Sequence, residues 1–233
     1  SVSSQKRGSV IVHGGAWAIP HNCVDDHLKG VHEACFASVQ VLKEGGDAVD
    51  AAQAAIESME SCGTFDAGCG SFLNAEGQAQ MDAILATGDF RIGSVCGITN
   101  VEHPIRAARL VRDKTTHVLL CGEGALSFAK TCGIEECPPE KLTVNRELDR
   151  HQTIKKNEEC FVAKDAFAIA QAQQHQHQQQ YSQHQQGKEK QQQYSSGNPS
   201  DTVGVVCLDS KGRMAVALST GGTPHKLPGR VGD

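Results

Sequence analysis

No CxxC pair occurs among the ten cysteines, which stand at 23, 35, 62, 69, 96, 121, 132, 137, 160 and 207. That absence argues against a zinc site or a thioredoxin-like redox pair. Several cysteines, such as Cys35, Cys121 and Cys207, sit inside apolar runs. They read as small buried hydrophobes in a reducing compartment rather than as a disulfide framework. No apolar run approaches the ~20 residues that span a bilayer. Positive charge is not in excess: the net charge is −5, which argues against a nucleic-acid surface. Residues 1–7 are polar, without an initiator Met and without the apolar core of a secretory leader. The expectation is a cytoplasmic chain with no membrane and no nucleic-acid partner, processed or incomplete at its start.

What is present suffices for one domain with an insertion: 233 residues, 39% of them hydrophobic. Residues 9–13 form a short strand ending in Gly14-Gly15. Residues 26–43 carry Leu28, Val31, Cys35, Val39 and Leu42 at helical spacing and stop at Gly45-Gly46. Residues 48–60 form an alanine-rich second helix, followed by a glycine-dense loop at 63–71. Residues 71–74 and 78–84 flank Ala75-Glu76-Gly77 and predict a hairpin. Strands at 94–98 and 118–121, a helix opened by Pro104 and a helix over 124–131 follow. Such a mixed order predicts layered α and β structure. Residues 146–200 differ in kind. They open charged, then become glutamine-rich between 171 and 193, a composition that cannot bury a core and predicts a disordered linker. The domain therefore divides into 8–145, the 146–200 linker and 202–233.

Asp201-Thr202-Val203-Gly204 is answered eighteen residues later by Ser219-Thr220-Gly221-Gly222. A threonine hydroxyl is a poor nucleophile unless a base takes its proton. A threonine that begins a chain can use its own α-amine, whose ordinary pKa is about 7.7–8.0. Thr202 is internal, so this use requires a cut between Asp201 and Thr202. The local reading is plainer: residues 203–208 form a buried strand, Asp209-Ser210-Lys211-Gly212 a type I turn, and residues 213–218 the return strand. In such a hairpin residue i faces roughly residue 421 − i, which sets Thr202 against Ser219-Thr220.

These stretches together resemble the plant-type asparaginase family, the isoaspartyl peptidase/L-asparaginases of the N-terminal-nucleophile hydrolases. The resemblance is carried by Val12-His13-Gly14-Gly15-Ala16-Trp17, Gly45-Gly46-Asp47-Ala48-Val49-Asp50-Ala51, Phe65-Asp66-Ala67-Gly68-Cys69-Gly70-Ser71, Leu73-Asn74 and Met81-Asp82-Ala83. It continues through Gly122-Glu123-Gly124-Ala125, the two threonine motifs and Gly229-Arg230-Val231-Gly232-Asp233. It implies a four-layer αββα sandwich within the α+β class, made as a precursor that cleaves itself at Asp201-Thr202. The two fragments stay paired as a heterodimer, and these units dimerise. It further implies Thr202 as nucleophile, Thr220 as its hydrogen-bonding neighbour, Arg230 on the substrate carboxylate and Asp233 on the substrate ammonium. The substrates are asparagine and β-aspartyl dipeptides, with no organic cofactor. The loop resembles the family's sodium-binding loop, in which backbone carbonyls matching Met59, Glu60, Cys62, Phe65, Ala67 and Cys69 hold the ion. Asp66 stands where many members carry Asn.

The sequence stops at Asp233, whereas relatives continue to a later threonine-glycine pair that helps form the oxyanion hole, so the fold is expected to be incomplete at that end. Two alternatives stay open. Leu227-Pro228-Gly229-Arg230-Val231-Gly232-Asp233 suits a glycosylasparaginase as well, and a non-catalytic relative with a glutamine-rich interaction segment is the other.

Overall fold

A computed structural model describes residues 8–16, 19, 21–157 and 202–232. The fold is mixed α/β. Among the described residues, β1 (Ser9–His13), β2 (Met81–Thr87), β3 (Ile92–Ile98), β4 (Leu119–Cys121), β5 (Val203–Leu208) and β6 (Met214–Thr220) form one sheet. Its order is β1-β5-β6-β2-β3-β4, so the two strands latest in sequence lie between the two earliest. Every pair is antiparallel except β3 with β4.

Alternation along the central strands sorts the side chains onto two faces. Val203, Val205 and Cys207 of β5, with Ala215 and Ala217 of β6, are buried on one. Helix α2 (Ala48–Ser61) packs against these two strands, α3 (Pro104–Lys114) against β2 and β3, and α1 (Val24–Lys43) along α2. The alanines of α2 (Ala48, Ala51, Ala52 and Ala55, none more than 2% exposed) let the helix lie close to the sheet. Asp47 caps α2, its Oδ1 accepting from the Val49 and Asp50 amides at 2.9 and 3.0 Å. The opposite face carries Ile11, Val206 and Val216 in register across three strands, and among the described residues it is open, with Ile11 71% exposed.

Three expectations are modified. The β5–β6 register runs on a sum of 422, with Val203 facing Ser219 and Leu208 facing Met214. The extra residue is Gly212, held at φ +79 after the type I turn, a bulge that lengthens the loop to three residues. The hairpin expected over 71–84 reduces to one bridge, Leu73 with Ala79. There the Asn74 side chain closes a tight turn by accepting from Glu76 N and Gln78 N, and β2 pairs instead with β3 and β6. The segment expected to be a disordered linker begins as helix α6 (Asn145–Asn157). Its charges are not merely solvated. Glu147 is buried between Arg146 and Arg150 at 2.6 and 2.7 Å. Arg150 lies 4.7 Å over the Phe72 ring, and Arg146 donates to the carbonyls of Gly63 and Thr64. The glutamine-rich stretch lies outside the described residues. Two short helices, α4 (Gly122–Thr131) and α5 (Pro139–Leu142), precede α6. No helix among the described residues is long and apolar enough to cross a membrane.

The β5–β6 turn is held by Asp209, whose carboxylate accepts from Lys211 N, Arg213 N and Arg213 Nε at 2.9, 3.0 and 2.7 Å. Burial opposes ionisation, but these donors hold its carboxyl below the usual range. Asp209→Ala is therefore expected to destabilise the fold by about 1–3 kcal/mol in urea unfolding at neutral pH. A group with a depressed folded pKa contributes fully above its unfolded pKa and loses the contribution as pH falls through the folded one. The gap between wild type and variant should narrow as pH is lowered below about 4.

Candidate active site

Continuing the β5–β6 register one step sets Thr202 opposite Thr220, and their hydroxyl oxygens lie 3.0 Å apart. Thr220 ends β6 and is 1% exposed. Its oxygen accepts from Gly222 N at 2.9 Å, and its hydroxyl reaches Asp66 Oδ2 at 3.5 Å. Thr220, distant in sequence from the 63–71 loop, thus meets a carboxylate that the loop supplies.

The loop is pinned where it meets them. Asp66 Oδ1 accepts from Phe72 N at 2.8 Å, and the Asp66 carbonyl accepts from Gly221 N at 2.9 Å. Gly221 is required by close approach: a Cβ there would stand 2.0 Å from Asp66 Oδ1 and 2.8 Å from Phe72 N. The neighbouring Phe65 is fully buried, with its ring against Gly14 and Gly30 and edge-on to His27. At the end of α2, Glu60 is fully buried. Its carboxylate accepts from Ile105 N at 3.2 Å, capping α3, and lies 3.3 Å from His103 Nδ1. Burial pushes the Glu60 carboxyl up, against the hydrogen bond from His103.

A second set of groups comes from the loop after β6. Lys226 is buried, donates to the Gln80 carbonyl at 2.7 Å and lies 3.9 Å from Asp82 Oδ2. Burial pushes its ammonium down, while Asp82 and Asp66 hold it up and Arg230 adds to the depression. Asp82, in β2 directly opposite Thr220, accepts from Gly97 N at 2.7 Å and from Gly232 N at 2.5 Å. The Arg230 Nη1 lies 3.2 Å from where a Cβ on Gly222 would sit, so the guanidinium reaches the end of the strand that carries Thr220. The result is a cluster with two hydroxyls, an exposed arginine, and a buried lysine near two buried carboxylates.

Of the residues expected from sequence, the structure brings Thr202 and Thr220 together, and Arg230 reaches Gly222, two residues after Thr220. Asp201 and Asp233 lie outside the described residues. Met59 and Glu60 end α2, Cys62 caps it, and Phe65, Ala67 and Cys69 follow in the loop. Among the described residues no group of three or more His, Cys, Asp and Glu side chains is placed to hold a metal. Lys226 and the carboxylate contacts of Asp66 and Asp82 were not foreseen. Asp82 gave some signal, as an acid in an otherwise apolar strand. Lys226 gave none, because nothing local distinguishes a buried lysine in a turn from a solvated one.

Comparison with known proteins identifies the family. The asparaginase family profile matches residues 6–233. The chain is 37% identical over 231 residues to the human isoaspartyl peptidase/L-asparaginase, covering 96% of this chain and 63% of that protein. It is 35% identical over 226 residues to the corresponding protein of Macaca fascicularis, covering 96% and 63%. It is 32% identical over 236 residues to an isoaspartyl peptidase of Salmonella typhimurium, covering 96% and 66%. The chain therefore spans a little under two thirds of the length of the first two relatives. With its two threonines facing across the hairpin and a profile match along nearly its whole length, the chain belongs to the asparaginase family.

Proposed function

We propose that the protein is an autocleaving threonine hydrolase that releases aspartate from L-asparagine and from isoaspartyl dipeptides. The observation that carries this reading is the 3.0 Å approach of the Thr202 and Thr220 hydroxyls at the open end of the hairpin, with Arg230 in reach. Cleavage between Asp201 and Thr202 turns the Thr202 nitrogen from an amide into an amine, a base whose ordinary pKa lies near neutrality. That amine takes the Thr202 hydroxyl proton as Oγ attacks the side-chain amide carbon of asparagine, or the β-linked peptide carbon of an isoaspartyl dipeptide. Ammonia or an amino acid leaves with the proton, and water resolves the aspartyl ester. A zwitterionic substrate needs one charge of each sign. The planar fork of Arg230 suits the α-carboxylate, and Asp233 is assigned to the α-ammonium.

The finer fold is proposed on the same footing. The open apolar face that carries Ile11, Val206 and Val216 is what a second sheet would cover, giving the four-layer αββα sandwich. The fragment starting at Thr202 stays paired with the fragment before it, and two such pairs form the homodimer. A cytoplasmic location is supported by free thiols at all nine described cysteines.

A structural sodium ion is assigned to the Met59–Cys69 carbonyls. Of this set the Phe65 carbonyl faces Gly70, 2.9 Å from where a Cβ there would sit. Oxygen donors of this kind suit a hard cation. Met59 O and Glu60 O already accept from Cys62 Sγ and Cys69 N, so an ion would use their second lone pairs. Its part is to stiffen the loop that presents Asp66.

Full-length protein should yield a fragment whose first residue is Thr202, seen by intact mass, while Thr202→Ala remains one chain; uncleaved protein with full hydrolase activity would refute the reading. Arg230→Lys should raise KM for β-aspartyl dipeptides roughly 10–100-fold with a smaller change in kcat, as expected when a charge-assisted bidentate contact is lost; an unchanged KM removes Arg230 from the substrate site. Replacing sodium with tetramethylammonium should lower the melting temperature, by the linkage of ion binding to folding; an unchanged melting temperature rules the ion out.

A further inference from the structure

Two imidazoles meet away from the threonines. His151 lies on α6 and His225 in the loop after β6. Their ring centroids are 5.4 Å apart, with the planes tilted by 38°. Both Nδ1 atoms are buried, and neither has a hydrogen-bond partner. A buried polar atom left unpaired is costly, and here two of them stand on neighbouring rings.

Each ring is held by its own surroundings. His225 N donates to Leu73 O at 2.8 Å, and the adjoining Lys226 carbonyl accepts from Ala75 N at 2.8 Å, so this part of the loop is laced to the turn at 73–77. His151 Nε2 lies 3.4 Å from where a Cβ on Gly77 would sit, at the same turn. Helix α6 is fixed by the Glu147 ion pairs and by Arg150 over Phe72. Two nitrogen donors are thus placed in advance by braced elements.

We propose that His151 and His225 form a binding site for a divalent transition-metal ion such as zinc, held through Nδ1 of each ring. The separation fits. Imidazole nitrogen binds zinc at about 2.0–2.1 Å, and two such rings at the tetrahedral angle have centroids about 5.2 Å apart. Ligation through Nδ1 leaves the ring proton on Nε2, which on His151 faces the Gly77 turn. The ion takes the neutral ring, with its lone pair free. Burial, then His225 and Lys155, hold the His151 imidazole below its usual range, which favours that form. Lys155 opposes a cation as it opposes a proton, and so weakens the site. No third His, Cys, Asp or Glu side chain among the described residues completes the set. Water fills the remaining positions, so the ion is exchangeable. A pair of imidazoles without carboxylates selects against calcium and magnesium.

His151 and His225 stand on opposite sides of the Asp201-Thr202 bond. On the reading that this bond is cut, the ion clips the two fragments together and pins the loop that carries Lys226 and Arg230. The clip rests on that reading; the site does not.

Isothermal titration of zinc chloride into the full-length protein tests the site, with His151→Gln and His225→Asn beside the wild type. Asparagine tolerates the left-handed backbone that residue 225 holds at φ 57. In each variant one zinc ion fewer should bind per chain, or that ion should bind at least about tenfold more weakly, the scale at which even an outer partner of a metal ligand counts. Nitrogen-15 spectra of the wild-type imidazoles should show zinc on Nδ1 of both residues, and magnesium chloride should leave them unchanged. Zinc bound equally by the wild type and either folded variant overturns the proposal, and so do spectra in which the two rings stay unligated. If His225→Asn does not melt as a folded protein, His151→Gln, on a separate element, decides alone. Thr202→Ala should bind zinc as the wild type does. Wild-type protein that never cleaves refutes the nucleophile reading, and the clip with it, while the zinc titration decides the site independently.

Discussion

The sheet has a gap two strands wide between β1 and β2, and the β5–β6 hairpin fills it. The rest of the described structure depends on that insertion. The hairpin contributes Val203, Val205, Ala215 and Ala217 to the core under α2, so without it the helix keeps α1 but loses the strands it packs on. It also satisfies backbone groups on both flanks, pairing β1 through β5 and β2 through β6. Unpaired edges at the centre of a sheet are costly, and their closure ties the late part of the chain to the early part. The same ladders that build the sheet fix the distance between the two threonines. Geometry at the site is inherited from register, not from a separate set of contacts.

The loop at 63–72 is the second element of this arrangement. It is held on three sides: Phe65 against Gly14 and Gly30, the Asp66 backbone against Gly221, and Arg146 of α6 on the carbonyls of Gly63 and Thr64. Each anchor comes from a different part of the chain. A carboxylate delivered on such a loop has little freedom to move away from Thr220, and its burial beside Lys226 gives charge a structural role there. The lysine sits between two acids, so the cluster carries countercharges in a place where an isolated ion would be costly.

Much of this was legible in the sequence, and the limits are physical. The strand at 203–208, its turn and its return strand were readable from alternation and turn chemistry, and so was the meeting of Thr202 with Thr220. The register missed by one residue because a bulge residue, Gly212, is not distinguishable from an ordinary turn glycine without the ladder on either side. The hairpin at 71–84 was over-read, since a strand-like run can find its partners elsewhere. For β2 those partners are β3 and β6, both distant in sequence. The charged residues of α6 looked like solvated linker because composition shows charge but not pairing; the buried Glu147 between two arginines appears only when the loop they brace is in place. The Asp66 contact was out of reach for the same reason, since its partner comes from the far end of the chain.

The position of Thr202 in the sheet has one more consequence. New chain ends made by proteolysis are ordinarily the most mobile part of a protein, fraying because they have a neighbour on one side at most. An end created at Thr202 would stand one residue before β5, a strand with a hydrogen-bonded neighbour on each flank, β1 and β6. Its amine would gain chemical freedom, as a base, while losing almost none of its place. A peptide bond next to an interior strand can thus be spent as a source of reactivity, because the ladders of the strand that follows, and not the bond, hold that strand where it is.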